Sequence, residues 1–267
     1  MREEITSVQN PKVKKAVKLA DRKARNETGL FLIEGYREIS RAAAGNVLID
    51  HAFFCPELFL GANENSLLDS LQSKGTFLIQ TPPYIFQKIS YRDRPDGLLA
   101  VAKKMNLRLK NVSLPQNPLV VIAEAIEKPG NLGTIIRSSD AAGVNLVIVA
   151  NGCTDIYNPN VVRASVGTLF TIPVLEATNE EALTFCQHHK ISLLAATPEG
   201  NELYTHVPMK GPLGVVVGTE QLGLSSFWKE SCHHKVKIPM HGVADSLNVA
   251  TATTLFLFEA ARQRHDN

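Results

Sequence analysis

Cysteine is scarce in this chain of 267 residues: Cys55, Cys153, Cys186 and Cys232 stand far apart, with no C-x-x-C pair among them. Such scatter excludes a disulfide-stapled scaffold and the usual zinc arrangements, so no metal is expected. A charge excess is missing too. There are 28 Lys and Arg against 26 Asp and Glu, a net +2, so the overall balance does not single out a nucleic-acid partner. No stretch approaches the roughly 18 uncharged apolar residues of a membrane span. No apolar leader follows Met1-Arg2-Glu3-Glu4. The expectation is a soluble, cytoplasmic protein without a membrane partner. Internal repeats and low-complexity tracts are also lacking.

What is present is ordinary globular material, 44% hydrophobic and 20% charged, enough for one large domain or two moderate ones. Charge is unevenly spread. Residues 1–25 hold Arg2, Lys12, Lys14, Lys15, Lys18, Arg22, Lys23 and Arg25 against Glu3, Glu4 and Asp21. This patch suits RNA phosphates and equally suits the solvated face of an amphipathic helix.

The composition shifts at Lys103, Lys104, Arg108 and Lys110, which lead into the polar, Pro-punctuated run Asn111-Val112-Ser113-Leu114-Pro115-Gln116-Asn117-Pro118. This predicts a linker over 106–117 between a domain at 1–105 and another at 118–267. In the first, strands are expected at Leu30–Glu34, Ile49–Cys55, Thr76–Gln80 and Gly97–Lys103, with helices at Pro11–Lys23, Gly35–Ala44, Ser66–Ser73 and Tyr84–Ser90. The alternation predicts a small three-layer α/β domain. In the second, apolar strands are expected at Leu119–Ala123, Leu146–Ala150, Ile191–Ala196, Gly214–Val217 and Lys235–Ile238. Helices are expected at Leu132–Ala142, Asn179–His188 and Asn248–Arg264. Continuous apolar strands among helices predict a parallel sheet covered on both faces. The last helix, apolar on most sides, is expected to be buried or to meet a partner chain.

Three loops after these strands are rich in Gly and polar residues, where an α/β sheet carries its ligand site. The first runs Glu127-Lys128-Pro129-Gly130-Asn131-Leu132-Gly133-Thr134-Ile135-Ile136-Arg137, with Asn131 placed as a helix N-cap and Arg137 able to share its face. The second, Gly218-Thr219-Glu220-Gln221-Leu222-Gly223-Leu224-Ser225, imitates a phosphate-binding loop, but Leu224 stands where that loop needs Lys and Glu220 would repel phosphate. Its Gly218 would let a ligand approach the main chain. The third runs Ile238-Pro239-Met240-His241-Gly242-Val243-Ala244-Asp245-Ser246-Leu247-Asn248-Val249, with Asp245 or Ser246 as cap and Asn248 in the first turn of the last helix. Taken singly, each loop is also explained as a well-formed helix start or turn.

Together they resemble the motifs of the SpoU (TrmH-like) family of RNA ribose 2′-O-methyltransferases, within the SPOUT class. N-x-G-x-x-x-R is matched by Asn131, Gly133 and Arg137; G-x-E-x-x-G-L by Gly218, Glu220, Gly223 and Leu224; and I-P-M…S-L-N-V by Ile238-Pro239-Met240 and Ser246-Leu247-Asn248-Val249. Ile5-Thr6-Ser7-Val8-Gln9-Asn10-Pro11-Lys12 and Phe31-Leu32-Ile33-Glu34-Gly35 resemble, more loosely, the small ribosomal-protein-like RNA-binding domain that precedes the catalytic domain in the ribosomal-RNA branch.

The resemblance implies a C-terminal parallel-sheet domain with a deep trefoil knot, S-adenosylmethionine as cofactor, no metal, and a homodimer. It implies cofactor contacts at Thr197, Gly218, Ile238, Met240 and Leu247, and a catalytic set of Arg137, Asn131, Glu220, Ser246 and Asn248. RNA contacts are expected at Lys12, Lys14, Lys15, Arg22, Arg25 and Arg163. Small residues around Ser165-Val166-Gly167-Thr168 are assigned to packing. Glu220 fits a structural anchor as well as a catalytic part. Ribosomal RNA is the expected substrate; the alternatives are transfer RNA and a catalytically inactive RNA-binding member of the fold.

Overall fold

A computed structural model describes residues 2–265. The chain divides into two compact units. One holds the residues up to Asn106 together with Tyr157–Thr171, and the other holds Leu107–Ile156 and the residues from Ile172 onward.

The first unit contains β1 (Arg2–Glu4), α1 (Pro11–Lys18), α2 (Arg22–Thr28), β2 (Leu30–Glu34), α3 (Tyr36–Ala44), β3 (Ile49–Phe54), α4 (Glu64–Ser73), β4 (Phe77–Gln80), α5 (Pro83–Ile89) and β5 (Leu98–Lys103). Its sheet runs β1-β4-β3-β5-β2, with β5 antiparallel to β2 and β3 and the other pairs parallel. One helix was expected over Pro11–Lys23; two are found. The Arg25 guanidinium folds back and donates to the carbonyls of Leu19 (2.9 Å) and Ala20 (2.7 Å), satisfying acceptors that the end of α1 leaves open.

All five residues of β2 are buried, which requires cover on both faces. Leu30 and Leu32 join the core that includes Val13, Ile85 and Phe86. On the other face Phe31 meets Tyr157 at 4.6 Å and Phe170 at 6.0 Å between ring centroids. Tyr157 also accepts from the Met105 amide (2.9 Å) and donates to its carbonyl (3.1 Å). These contacts account for a segment from the middle of the chain belonging to this unit.

The second unit contains β6 (Leu119–Glu124), α6 (Pro129–Ala141) and β7 (Leu146–Ala150); α7 (Pro159–Ala164) belongs to the first. It continues with β8 (Val174–Ala177), α8 (Asn179–His188), β9 (Ser192–Ala196), β10 (Glu202–Leu203), β11 (Leu213–Val217), α9 (Ser226–Ser231), β12 (His234–Lys237) and α10 (Val249–His265). The sheet runs β10-β12-β9-β11-β6-β7-β8 and every pair is parallel, as the apolar strands predicted. Val121 on β6 lies between Val215 of β11 and Val147 of β7. One face is covered by Phe185 and Cys186 of α8 and by Trp228 of α9; α10 packs on β11 and α6.

The segment expected to be a linker does not run free. Leu109, Val112 and Leu114 pack against this core. At the other end of the strands, Arg264 of α10 donates to the carbonyls of Asn117 (3.0 Å), Pro118 (3.2 Å), Met209 (2.9 Å) and Gly211 (2.6 Å), tying the last helix to the entries of β6 and β11. Burial lowers the pKa of this guanidinium.

Candidate active site

Because all seven strands run the same way, the loops leaving β6, β9, β11 and β12 emerge along one edge of the sheet. Chain order reverses there, since β7 and β8 lie to one side of β6 while β11, β9, β12 and β10 lie to the other. All three predicted loops and Thr197 therefore gather at the carboxyl edge.

A cleft of about 340 Å³ opens there, bordered by Thr197, Gly218, Ile238, Met240 and Leu247, which are the five expected cofactor positions, and by Glu220 and Ser246. Asp245, Glu199, Lys237 and, from α10, Val249, Ala252 and Phe256 also line it. Val249 closes the third motif; Ala252 and Phe256 carry no motif signal, although the i, i+3, i+7 spacing of the three marks one helix face.

Beside the cleft the three motifs are hydrogen-bonded to one another. The Asn131 amide donates to Glu220 Oε1 (2.8 Å), Asn248 Nδ2 donates to Asn131 Oδ1 (3.2 Å), and Asn248 also donates to Glu220 Oε1. The ammonium of Lys128 pairs with the other carboxylate oxygen of Glu220. Lys128 foremost, then the two amides, hold the Glu220 carboxyl below its ordinary value. Lys128 is raised in turn by Glu220. Lys128 has no place in the family pattern, and the sequence signal for this pair is a cation in the first loop and a carboxylate in the second.

Several expectations about individual residues need correcting. Asn131 does not cap α6. That helix begins at Pro129, so Asn131 sits inside its first turn and is free to reach across. Asn248, rather than Asp245 or Ser246, precedes α10, and its Oδ1 accepts from the amides of Ala250 (3.0 Å) and Thr251 (3.3 Å). One side chain thus starts a helix with its oxygen and joins two loops with its nitrogen. Gly218 borders the cleft, and its small size also serves its own loop. A Cβ there would lie 2.3 Å from the Gly223 carbonyl oxygen, because Thr219 and Gly223 exchange two main-chain hydrogen bonds of 3.1 Å and turn the loop back on itself.

Arg137 stands outside this network. Along an unbroken helix a six-residue step places it about 120° around the axis from Asn131. It is exposed, with no hydrogen bond or ion pair among the described residues. The next residue, Ser138, shares a 2.7 Å hydrogen bond with Thr254 of α10. Of the expected RNA contacts, Lys14, Lys15, Arg22 and Arg163 are exposed, Lys12 pairs with Glu3, and Arg25 is only 1% exposed and engaged with main-chain carbonyls, so it offers no charge to a phosphate.

Behind the second loop lies a buried polar relay that the sequence did not reveal. Glu124, at the end of β6, accepts from the Ser225 amide (2.9 Å), the Ser225 hydroxyl (2.6 Å) and Asn179 Nδ2 (3.0 Å), while Asn179 Oδ1 accepts from the Trp228 indole (3.0 Å). It pins the exit of the cleft loop to the strand that leads into the first motif.

The cleft fits a methyl-sulfonium nucleoside. Its volume falls at the lower end of the roughly 300–1,000 Å³ of small-molecule sites. Ile238, Met240, Leu247 and Phe256 supply apolar surface, and Thr197, Asp245 and Ser246 supply polar groups at its border.

Comparison with known proteins agrees with this geometry. Residues 118–258 match the SpoU rRNA methylase family, and residues 10–100 match the MRM3-like substrate binding domain. The chain is 30% identical over 252 residues to the 23S rRNA (uridine(2479)-2′-O)-methyltransferase of Streptomyces viridochromogenes, covering 92% of this chain and 87% of that one. A crystal structure of an RNA 2′-O ribose methyltransferase superposes with a TM-score of 0.86 at 39% identity over 99% of both chains. That of the SpoU methyltransferase AviRb from Streptomyces viridochromogenes in complex with AdoMet superposes with a TM-score of 0.88 at 30% identity, over 97% of this chain and 100% of that one. With the second and third motifs lining one cleft, Asn131 of the first bonded to both, and the likeness running the length of the chain, the protein belongs to the SpoU family of RNA ribose 2′-O-methyltransferases, whose cofactor is S-adenosylmethionine.

Proposed function

We propose that the chain methylates the 2′-hydroxyl of one ribose in structured ribosomal RNA, in the cytoplasm, as a homodimer whose catalytic units carry the family's trefoil knot. The observation that supports this reading best is the Asn131–Glu220–Asn248 network, which holds the three motif loops together beside the cleft. The named Streptomyces relative, a 23S rRNA methyltransferase, matches through the N-terminal unit as well, which favours ribosomal RNA. Leu222, Val243, Leu255 and Phe258 are exposed apolar side chains and suit a subunit contact.

Bound S-adenosylmethionine supplies an electrophilic methyl whose leaving group departs as a neutral thioether. Gly218, Ile238, Met240 and Leu247 hold it by main chain and apolar surface, and Thr197 closes the rim. A ribose hydroxyl is a weak nucleophile until its proton is drawn off. Arg137 does not act as the base, since a guanidinium stays protonated below a pH of about 12. It grips the adjoining phosphate, aligns the 2′-oxygen, and lets the proton leave to a non-bridging phosphate oxygen. Glu220 is equally unsuited as a base, because its carboxylate is already engaged by Lys128, Asn131 and Asn248. It fixes Asn131 and Asn248, which with Ser246 shape the substrate side. Lys12, Lys14, Lys15, Arg22 and Arg163 meet phosphates further out.

Mapping ribose methylation across total RNA with and without the gene tests the proposal. Loss of one 2′-O-methyl site in ribosomal RNA is expected and names the target. An unchanged ribosomal RNA pattern overturns the substrate assignment.

A further inference from the structure

The first unit carries a recess of its own, about 440 Å³ in volume, between the start of α3, the loop before α4 and the loop that follows α5. Arg92 borders it and also borders a smaller hollow lined by Tyr91, Pro159 and Arg163, so the two adjoin. A layer of carboxylates lies beneath. Arg92 donates to Glu38 Oε1 (2.6 Å), Asp96 Oδ2 (3.2 Å) and the Glu34 carbonyl (3.0 Å), and Asp96 Oδ2 also receives the Tyr36 amide (3.2 Å). Glu34 receives the Tyr91 amide (2.8 Å) and the Ser90 hydroxyl. Glu34 and Glu38 are only 8% and 4% exposed, so their charge is spent within the framework.

What faces outward is different. Arg37 and Arg163 are exposed and make no ion pair among the described residues, and Tyr91 and Leu60 are exposed beside them. Within the wall, Asp96 Oδ1 and Arg92 Nε are buried without a hydrogen-bond partner. The α7 side is held firmly. Arg41 donates to the Val166 carbonyl, and Gly167, at φ +79°, packs so closely that a Cβ would lie 2.8 Å from Glu38 Cα.

Resting on the reading that the substrate is RNA, we propose that this recess receives one unstacked nucleotide of it, the base over Tyr36 and Leu60 and the flanking phosphates on Arg37 and Arg163. A lone phosphate would meet the carboxylate layer, whereas a base brings an uncharged face to stack and an edge that carries donors and acceptors together. Aromatic and guanidinium surfaces beside a basic rim are how single-stranded RNA is held. Exposed Lys14 and Lys15 on α1 border neither of these two hollows. They suit duplex phosphates and do not select a base.

Two variants of the full chain test this: Asn63→Trp, which fills the mouth of the recess without changing charge, and the double variant Arg37→Ala/Arg163→Ala. Each is titrated by filter retention against in-vitro transcribed 23S ribosomal RNA at several salt concentrations, with calorimetric S-adenosylmethionine binding as the check that the catalytic unit is intact. Asn63→Trp is expected to weaken RNA binding about tenfold with the salt slope unchanged, as loss of one stacked base would. The double variant is expected to flatten that slope by about 1.4, two single-strand phosphates at roughly 0.7 each. Photo-crosslinking of the unaltered protein to the same RNA carrying 4-thiouridine is expected to mark the Tyr36 and Tyr91 peptides. Wild-type affinity and slope in both variants, or crosslinks only elsewhere, overturn the recess. Failure of the unaltered protein to bind or methylate any RNA would instead sink the substrate reading itself.

Discussion

Glu220 accepts hydrogen bonds from three side chains, while Arg137 makes none among the described residues. The first arrangement belongs to a group whose partners are already present, and the second to one whose partner arrives with the substrate. Arg137→Lys keeps the charge but loses the planar fork, and Arg137→Ala loses both. Methyl transfer measured at saturating cofactor is expected to fall about 10-fold in the first and about 100-fold in the second, with cofactor affinity unchanged. For Glu220→Gln the expectation is a loss of about tenfold that is the same at every pH from 6 to 9, because a positioning group leaves no titration in the rate profile. The disappearance of a pH limb in that variant would make Glu220 the base after all. Acid behaviour follows from the same bonds. Glu220 titrates below its ordinary 4.5, so its contribution to loop order is complete above that pH and is lost as pH falls through the depressed value. Cofactor affinity is therefore expected to hold down to about pH 5 and to weaken only beneath it, as calorimetry would read.

At the scale of elements, Arg264 does for the amino edge of the sheet what the motif loops do for the carboxyl edge. Its four carbonyl acceptors lie at the entries to β6 and β11, the strands from which the first two motifs depart. Arg264→Ala is expected to lower unfolding free energy by about 2 kcal/mol, read as a shift in denaturant midpoint, while leaving Arg264→Lys between the two. The apolar strands were legible because buried parallel strands are continuous runs such as Val120-Val121-Ile122 and Val215-Val216-Val217. β8 and β10 escaped notice because they are short and form the two edges of the sheet, and β10 is only half-buried. The break between α1 and α2 escaped because its cause is a side chain returning to carbonyls five and six residues earlier, which no periodicity records. At the cleft, the motif residues could be named from their pattern. The Glu124–Asn179–Trp228 relay could not, since it joins residues 55 and 49 positions apart through single bonds.

For the whole molecule, Tyr157–Thr171 is the instructive segment. Read along the chain it is the stretch between two strands of the catalytic sheet, yet its aromatic rings lie on Phe31. Removal of residues 1–105 exposes Tyr157, Val161, Val162, Leu169 and Phe170, all of them buried in the intact chain. The truncated protein is expected to aggregate or to lose methyl transfer even on short RNA, whereas replacing those five by polar residues restores its solubility; light scattering and calorimetry with S-adenosylmethionine distinguish the outcomes.

The chain thus passes between its units three times, at 106–107, 156–157 and 171–172. Modular exchange, in which a new recognition head is spliced onto an old enzyme at one seam, is closed to such an architecture. A functional hybrid between relatives must carry the fifteen-residue excursion across with the head it belongs to. Target choice in this lineage would then diverge by drift within a matched pair of segments, and inheritance of the two should go together.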